Sequence, residues 1–244
     1  MKKTFVSLLS VGLLSAFLLS CSEKKVGNNE LSNEEKEEGW TLLFDGKTTA
    51  GWHLYNKAKI PSTWMVKNAE LYCNPDTVGI EHGDLVSDKV YKNFDLKFDW
   101  KISKAGNSGV FINVIEQDTI PTAWASGPEY QLLEHENIGA AYLKDSTKWA
   151  ACLYGFSPQK NLAKLKPFGE WNESNIKQNN GKVEFYLNGV LTAEQDLTAE
   201  TWKNMVSNSG FKYFPLFGKN TTGRIALQEW SKGVSFRNIK VKEL

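Results

Sequence analysis

Between Phe94 and Ile102 the chain alternates without interruption. Phe94, Leu96, Phe98, Trp100 and Ile102 are apolar, and Asp95, Lys97, Asp99 and Lys101 stand between them. A period of two marks a strand with one buried and one wet face. Gly106-Asn107 then predicts a turn, and residues 108–115 a second strand with Val110, Ile112 and Val114 on one face. Further strands are predicted over 40–44, 129–134 and 151–156. Residues 64–67 and 69–73 read as a hairpin around Asn68, and Trp52 reads as loop. Residues 171–178, 182–188 and 190–196 form a meander whose last turn, Asn188-Gly189, is a strong hairpin signal. Strands over 224–230 and 234–241 close the chain, and residues 160–169 read as loop. One helix is predicted, capped by Thr198, with Trp202, Met205 and Val206 on its apolar side. About a dozen strands and one short helix predict an all-β fold, two antiparallel sheets packed as a sandwich.

The first twenty residues break this pattern. Lys2 and Lys3 precede an apolar run from Phe5 to Leu19, too short for a comfortable membrane span. The run ends in Leu18-Leu19-Ser20-Cys21, which resembles a bacterial lipoprotein signal. Residues 1–20 are therefore expected to be removed, with Cys21 lipidated. The protein is expected outside the cytoplasm, held at a membrane through that lipid alone. Residues 21–38 hold two large apolar residues, Val26 and Leu31, and read as a disordered tether. Residues 39–244 read as one domain, with no internal repeat. Cys73 and Cys152 could pair in an oxidising compartment, or be two buried thiols.

Composition narrows the function. A formal charge of +1 gives no footprint for nucleic acid. Nine Trp, eight Tyr and thirteen Phe supply a large core with rings to spare for a binding surface. There is no phosphate-binding glycine loop and no serine nucleophile elbow, and the three histidines lack zinc-site spacing. Residues 127–137 read GPEYQLLEHEN. On a strand, Glu129, Gln131 and Leu133 share one face, and Tyr130, Leu132 and Glu134 the other. His135, Glu136 and Asn137 fall at the strand end. Carboxylates and amides bind hydroxyls, and aromatic rings cover the apolar face of a pyranose, so this inventory suits a sugar. Two carboxyls flanking a glycosidic bond could also hydrolyse it.

Residues 39–244 resemble the 3-keto-disaccharide hydrolase domain family. The likeness is carried, in order, by TLLFDGKTTAGW, GDLVSDKVYKNFDLKFDWKIS, GNSGVFINVIE, GPEYQLLE, KPFGEWN, FPLFG, GRIALQ and VSFRNIKV. It implies a concanavalin A-like jelly roll and a small glycoside substrate already oxidised to a ketone at C3. It also implies cleavage by elimination and then hydration, with a divalent metal in some members. On the matching positions, Glu129 is the expected base or metal ligand, and His135 the second acid/base or ligand. Gln131, Asn107, Ser108, Asn113, Tyr154, Trp171, Asn172 and Gln228 are expected to contact substrate, although Trp171 reads equally as core and Asn113 as a satisfied buried amide. The chain departs from the family at four places. It has Leu153-Tyr154-Gly155 for LYD, Leu133-Glu134-His135 for LDN with a nearby His, and Gln228-Glu229-Trp230-Ser231 for QDHG. Gly210 stands where a Lys is common. A lectin-like binding module and a conventional two-carboxylate glycosidase are the alternatives on the same fold.

Overall fold

The computed structural model describes Met1 and residues 26–244. A helix, α1 (Asn33–Glu37), leads into strands β1 (Thr41–Leu42), β2 (Trp52–Leu54), β3 (Trp64–Lys67) and β4 (Glu70–Cys73). Then come β5 (Leu85–Tyr91), β6 (Phe94–Ile102), β7 (Asn107–Val114) and β8 (Glu129–Leu133). After α2 (Ala140–Leu143) follow β9 (Asn172–Asn179), β10 (Lys182–Leu187), β11 (Val190–Asp196), α3 (Glu200–Ser207), β12 (Gly223–Leu227) and β13 (Val234–Glu243). They form two antiparallel sheets. One has the order β11-β10-β9-β6-β13-β4-β3, with β1 also on β13; the other runs β2-β5-β12-β7-β8. This is the expected two-sheet sandwich of jelly-roll type.

Alternation places the core. Phe98 and Trp100 of β6 are buried between the sheets as their spacing predicts. Phe98 meets Tyr130 of β8 edge to face at 5.8 Å, and Tyr130 meets Phe185 of β10 at 5.1 Å. Polar groups inside this layer are paired. The Trp100 indole N–H donates to Ser174 Oγ at 2.8 Å, and the Tyr130 hydroxyl lies 2.7 Å from the same oxygen. Asn113 and Gln178 face each other across the sandwich, joined by two amide hydrogen bonds of 2.6 and 3.0 Å. Asn113 reaches inward because it sits in the left-handed region, φ 57°, at a break in the β7–β12 register.

Several expectations are corrected. Trp52 is the first residue of β2, not loop, and its buried indole donates to Leu43 O. β5 was not foreseen, because its buried and exposed positions do not alternate. Residues 151–156 form turns rather than a strand, since Ala151 and Gly155 hold φ of 59° and 76°. Those turns still cover the free edge of β8. Gln131 N donates to Cys152 O, Ala151 N to Gln131 O, and Tyr154 N to Glu129 O. Among the described residues three short α-helices replace the single one expected, and α3 begins after Ala199 at its N-cap. Thr198 instead turns its N–H and hydroxyl onto Asp196. Cys73 and Cys152 are separate buried thiols.

The part of the expected tether that is described, residues 26–38, is ordered. Ser32 and Glu35 form a capping box at the start of α1. Asn29 and Asn238 exchange N–H···O bonds of 2.6 and 2.8 Å, and Glu35 pairs with Lys240. Residues 26–38 are thus fastened to β13 by polar contacts, which their lack of apolar residues did not reveal. Cys21 and the leader lie outside the described residues. Among the described residues no helix is long and apolar enough to cross a membrane.

Removing either core ring leaves a cavity that the two sheets cannot close. Phe98→Ala or Trp100→Ala is expected to cost about 3–5 kcal/mol in urea unfolding; a near-neutral change would mean that the face is not core.

Candidate active site

The site begins with the pleat of β8. Tyr130 points between the sheets, so Glu129 and Gln131 must point to the outer face. There they form part of the floor of a cleft of about 290 Å³, with Asn107 from β7 and Gln228 just beyond β12. Loops raise the walls. Trp124 comes from the β7–β8 connection, Tyr154 from the turns along the β8 edge, and Tyr142 from α2. Phe211 and Trp230 complete them. Trp124 is held by an edge-on contact with Phe214, 4.7 Å between centroids.

Gly109 makes room for the carboxylate. It pairs with Gln131 across β7–β8, diagonal to Glu129, and a Cβ at Gly109 would collide with the Glu129 carboxyl group. This glycine is needed for its absent side chain, not for a special φ. Glu129 is buried, and its pKa is raised well above the usual carboxylate range by desolvation first and the Asp84 charge second. A carboxylate so placed is a strong base. Gln131 Oε1 accepts its neighbour's N–H, Leu132 N, at 3.1 Å, which leaves its NH2 group for the cleft. Gln228 Oε1 is buried without a partner among the described residues, an acceptor that a ligand hydroxyl can satisfy. Burial, then the Glu129 charge, raises the Tyr154 phenol, so it stays protonated and can donate.

Of the residues expected at the site, Glu129, Gln131, Asn107, Tyr154 and Gln228 line this one cleft. The others do not. Ser108 faces inward and donates to Gln228 O at 2.7 Å. Asn113 is the inter-sheet amide described above. Asn172 is buried on the other sheet, where its Oδ1 accepts from Lys166 N and Asn188 Nδ2. Trp171 lies outside the cleft with Arg237 and Lys101 at 4.1 and 4.6 Å from its ring. His135 follows the end of β8, where the alternation no longer aims it at the cleft. Its Nε2 accepts from Ala150 N at 3.0 Å, its ring rests on Trp149, and burial lowers its pKa.

That placement separates the two candidate metal ligands, Glu129 and His135. Among the described residues no three His, Cys, Asp or Glu side chains converge to hold an ion. The described residues lining the cleft supply a single carboxylate and no histidine, which do not fit a metal site.

The altered family positions have structural uses. Glu134 accepts backbone N–H groups from Ala105, Glu136 and Asn137, closing the turn after β8. Glu229 binds His82 and Gly83 N. Trp124, Tyr142, Phe211 and Trp230 were missed because they reach the cleft from loops and helices with no periodic signal.

A cleft of amides, aromatic rings and one buried carboxylate on an antiparallel sandwich defines a carbohydrate-active protein. The chain belongs to the family of the 3-keto-alpha-glucoside-1,2-lyase-like domain, whose model it matches over residues 39–242. This is a family of glycoside hydrolase/lyase enzymes. A curated relative from Bacteroides thetaiotaomicron, named 3-keto-disaccharide hydrolase, is 32% identical over 291 aligned positions that take in 100% of both chains. A Parabacteroides distasonis crystal structure described as a candidate glycosyl hydrolase superposes with TM-score 0.81 at 32% identity, covering 89% of this chain and 100% of that one. A second structure from the same organism shares the fold at TM-score 0.63 and 23% identity, covering 84% of this chain and 99% of that one.

The raised Glu129 pKa fixes the sign of a stability effect. Below the ordinary glutamate pKa both folded and unfolded chains hold the proton. Above it the unfolded chain ionises first, so folding loses stability as pH rises toward the folded-state pKa. Glu129→Gln removes this penalty. Its melting temperature relative to wild type should be higher at pH 8 than at pH 4, and a difference that does not grow with pH would show an unstrained carboxylate.

Proposed function

We propose that the protein cleaves the glycosidic bond of 3-keto-glycosides, by elimination followed by hydration. The reading rests above all on Glu129: a buried, basic carboxylate on the floor of a polar cleft, in the PEYQLLE stretch of this family. A ketone at C3 acidifies the proton at C2. Glu129 removes that proton, and the electrons pass through the enolate to expel the C1 oxygen. Gln131 and Tyr154 line the same cleft, and their N–H and O–H groups would bind the C3 oxygen as its charge grows. Water then adds at C1, and Glu129 returns its proton to C2. The sum is hydrolysis.

Elimination asks for one strong base within the cleft, and Glu129 is the single carboxylate among the described residues lining it. Glu129→Gln is expected to lower turnover of a 3-keto-glucoside by at least about 10²-fold while the protein still binds it. Deuterium at C2 should slow the wild type where proton removal limits the rate. Full activity of Glu129→Gln on the keto substrate, or wild-type cleavage of the intact glucoside alone, would overturn the reading.

We further propose that the enzyme is exported and held at a membrane by lipid on Cys21. The support is the basic, apolar leader ending in Leu18-Leu19-Ser20-Cys21. Cys21→Ser should move the protein from the membrane pellet to the soluble fraction. Unchanged pelleting would refute the anchor.

A further inference from the structure

The Glu129 cleft does not end at Gln228. A second cavity of about 490 Å³ opens beside it, and Trp124, Gln228 and Trp230 line both. Asp84, at the entry to β5, forms part of the second cavity's wall and is 8% exposed. Its Oδ1 accepts Glu229 N at 3.0 Å, and its Oδ2 accepts the Thr122 hydroxyl at 3.4 Å. Burial, more than the nearby Glu229 charge, pushes its pKa up to about 7. Near neutral pH Asp84 therefore carries a proton for a substantial share of the time.

The second cavity has the make-up of a place for a neutral ring. Its basic side chains are already engaged: Lys57 with Glu81 at 2.6 Å and His82 with Glu229 at 2.7 Å. Tyr55, Pro75, Pro121 and Trp124 give it apolar surface. Trp230 stands at the junction with 58% of its surface open, a flat face on which a sugar ring can lie. A substrate in the first cavity with its C2 at Glu129 has this second cavity next to it.

We propose that the second cavity seats the leaving group, and that Asp84 is the acid that protonates the departing glycosidic oxygen. This rests on the cleavage reaction proposed above. Glu129 takes the C2 proton while the C1–O bond breaks, its electron pair going to the leaving oxygen. Asp84 gives that oxygen a proton, and C1 and C2 are left doubly bonded beside the C3 carbonyl. In the return half, Asp84 takes a proton from water as the water oxygen bonds C1, and Glu129 gives its proton to C2. Both carboxyl groups end as they began, and nothing is oxidised or reduced.

Wild type and Asp84→Asn are compared on 3-keto-glucosides bearing methanol or 4-nitrophenol as leaving group, and on the matching unoxidised pair. Asn can still accept Glu229 N; Asp84→Ser gives the same comparison should Asn not fold. In whichever series the wild type cleaves, the variant should lose about 10²–10⁴-fold in kcat on the methyl compound and less than about tenfold on the nitrophenyl one, whose phenolate leaves unaided. Equal losses on both would reduce Asp84 to a structural part and overturn the assignment. Cleavage of the unoxidised series alone defeats the keto-glycoside reading but leaves the leaving-group ratio readable. Wild-type inactivity on both series overturns both.

Discussion

Tyr130 holds the site in register. Its ring is clamped between Phe98 and Phe185, and its hydroxyl is shared with Ser174 Oγ and Tyr186 O. Burying a phenol this deeply is unfavourable unless the oxygen finds partners, and the opposite sheet supplies both. With Tyr130 fixed inward, the pleat turns Glu129 and Gln131 outward together. A slip of one residue would bury the carboxylate among aromatic rings and put the tyrosine in the cleft. The edge position of β8 makes such a slip possible in principle. The turns after Ala150, bonded to the backbone of Glu129 and Gln131, close that edge and carry Tyr154 into the wall.

The rest of the site runs against local stability. Glu129 and Asp84 are both buried, and the cost of charge on Glu129 is raised by burial first and by the Asp84 charge second. Gln228 Oε1 lacks a partner among the described residues of the same region. A fold selected for stability alone would fill this space with apolar side chains. The sandwich beneath tolerates the cost because its own polar groups are matched. The Asn113–Gln178 amide pair and the Trp100–Ser174–Tyr130 chain leave no such deficit between the sheets.

What could be read from the sequence follows from distance along the chain. β6 and the faces of β8 were legible because alternation is a local property. So were Glu129 and Gln131, which lie on one face of one strand. His135 was misplaced because the strand ends at Leu133, and beyond that point a period of two aims nothing. Trp171 and Asn172 sit in a matching stretch, but on the sheet that lacks the cleft. Asn113 was sent inward by a register break that no residue pattern announced. Asp84 meets Gln228 and Trp230 only through the pairing of β12 with β5, a contact made across more than a hundred residues.

The same topology separates entry from chemistry. Residues 26–38 fasten to β13 and to Lys240 on the outer face of the larger sheet, where Trp40 also lies under Lys97. The cleft opens on the outer face of the smaller sheet. Two facing sheets stand about 10 Å apart, so the packed core lies between the fastened segment and Glu129. Asn29 and Asn238 each take a left-handed conformation to make their paired bonds, φ 57° and 52°, which asparagine tolerates better than most residues. A polar clasp of this kind needs little apolar surface, which explains how a segment with two large apolar residues can still be ordered. Among the described residues, the Glu129 cleft itself is lined only by residues that follow β4.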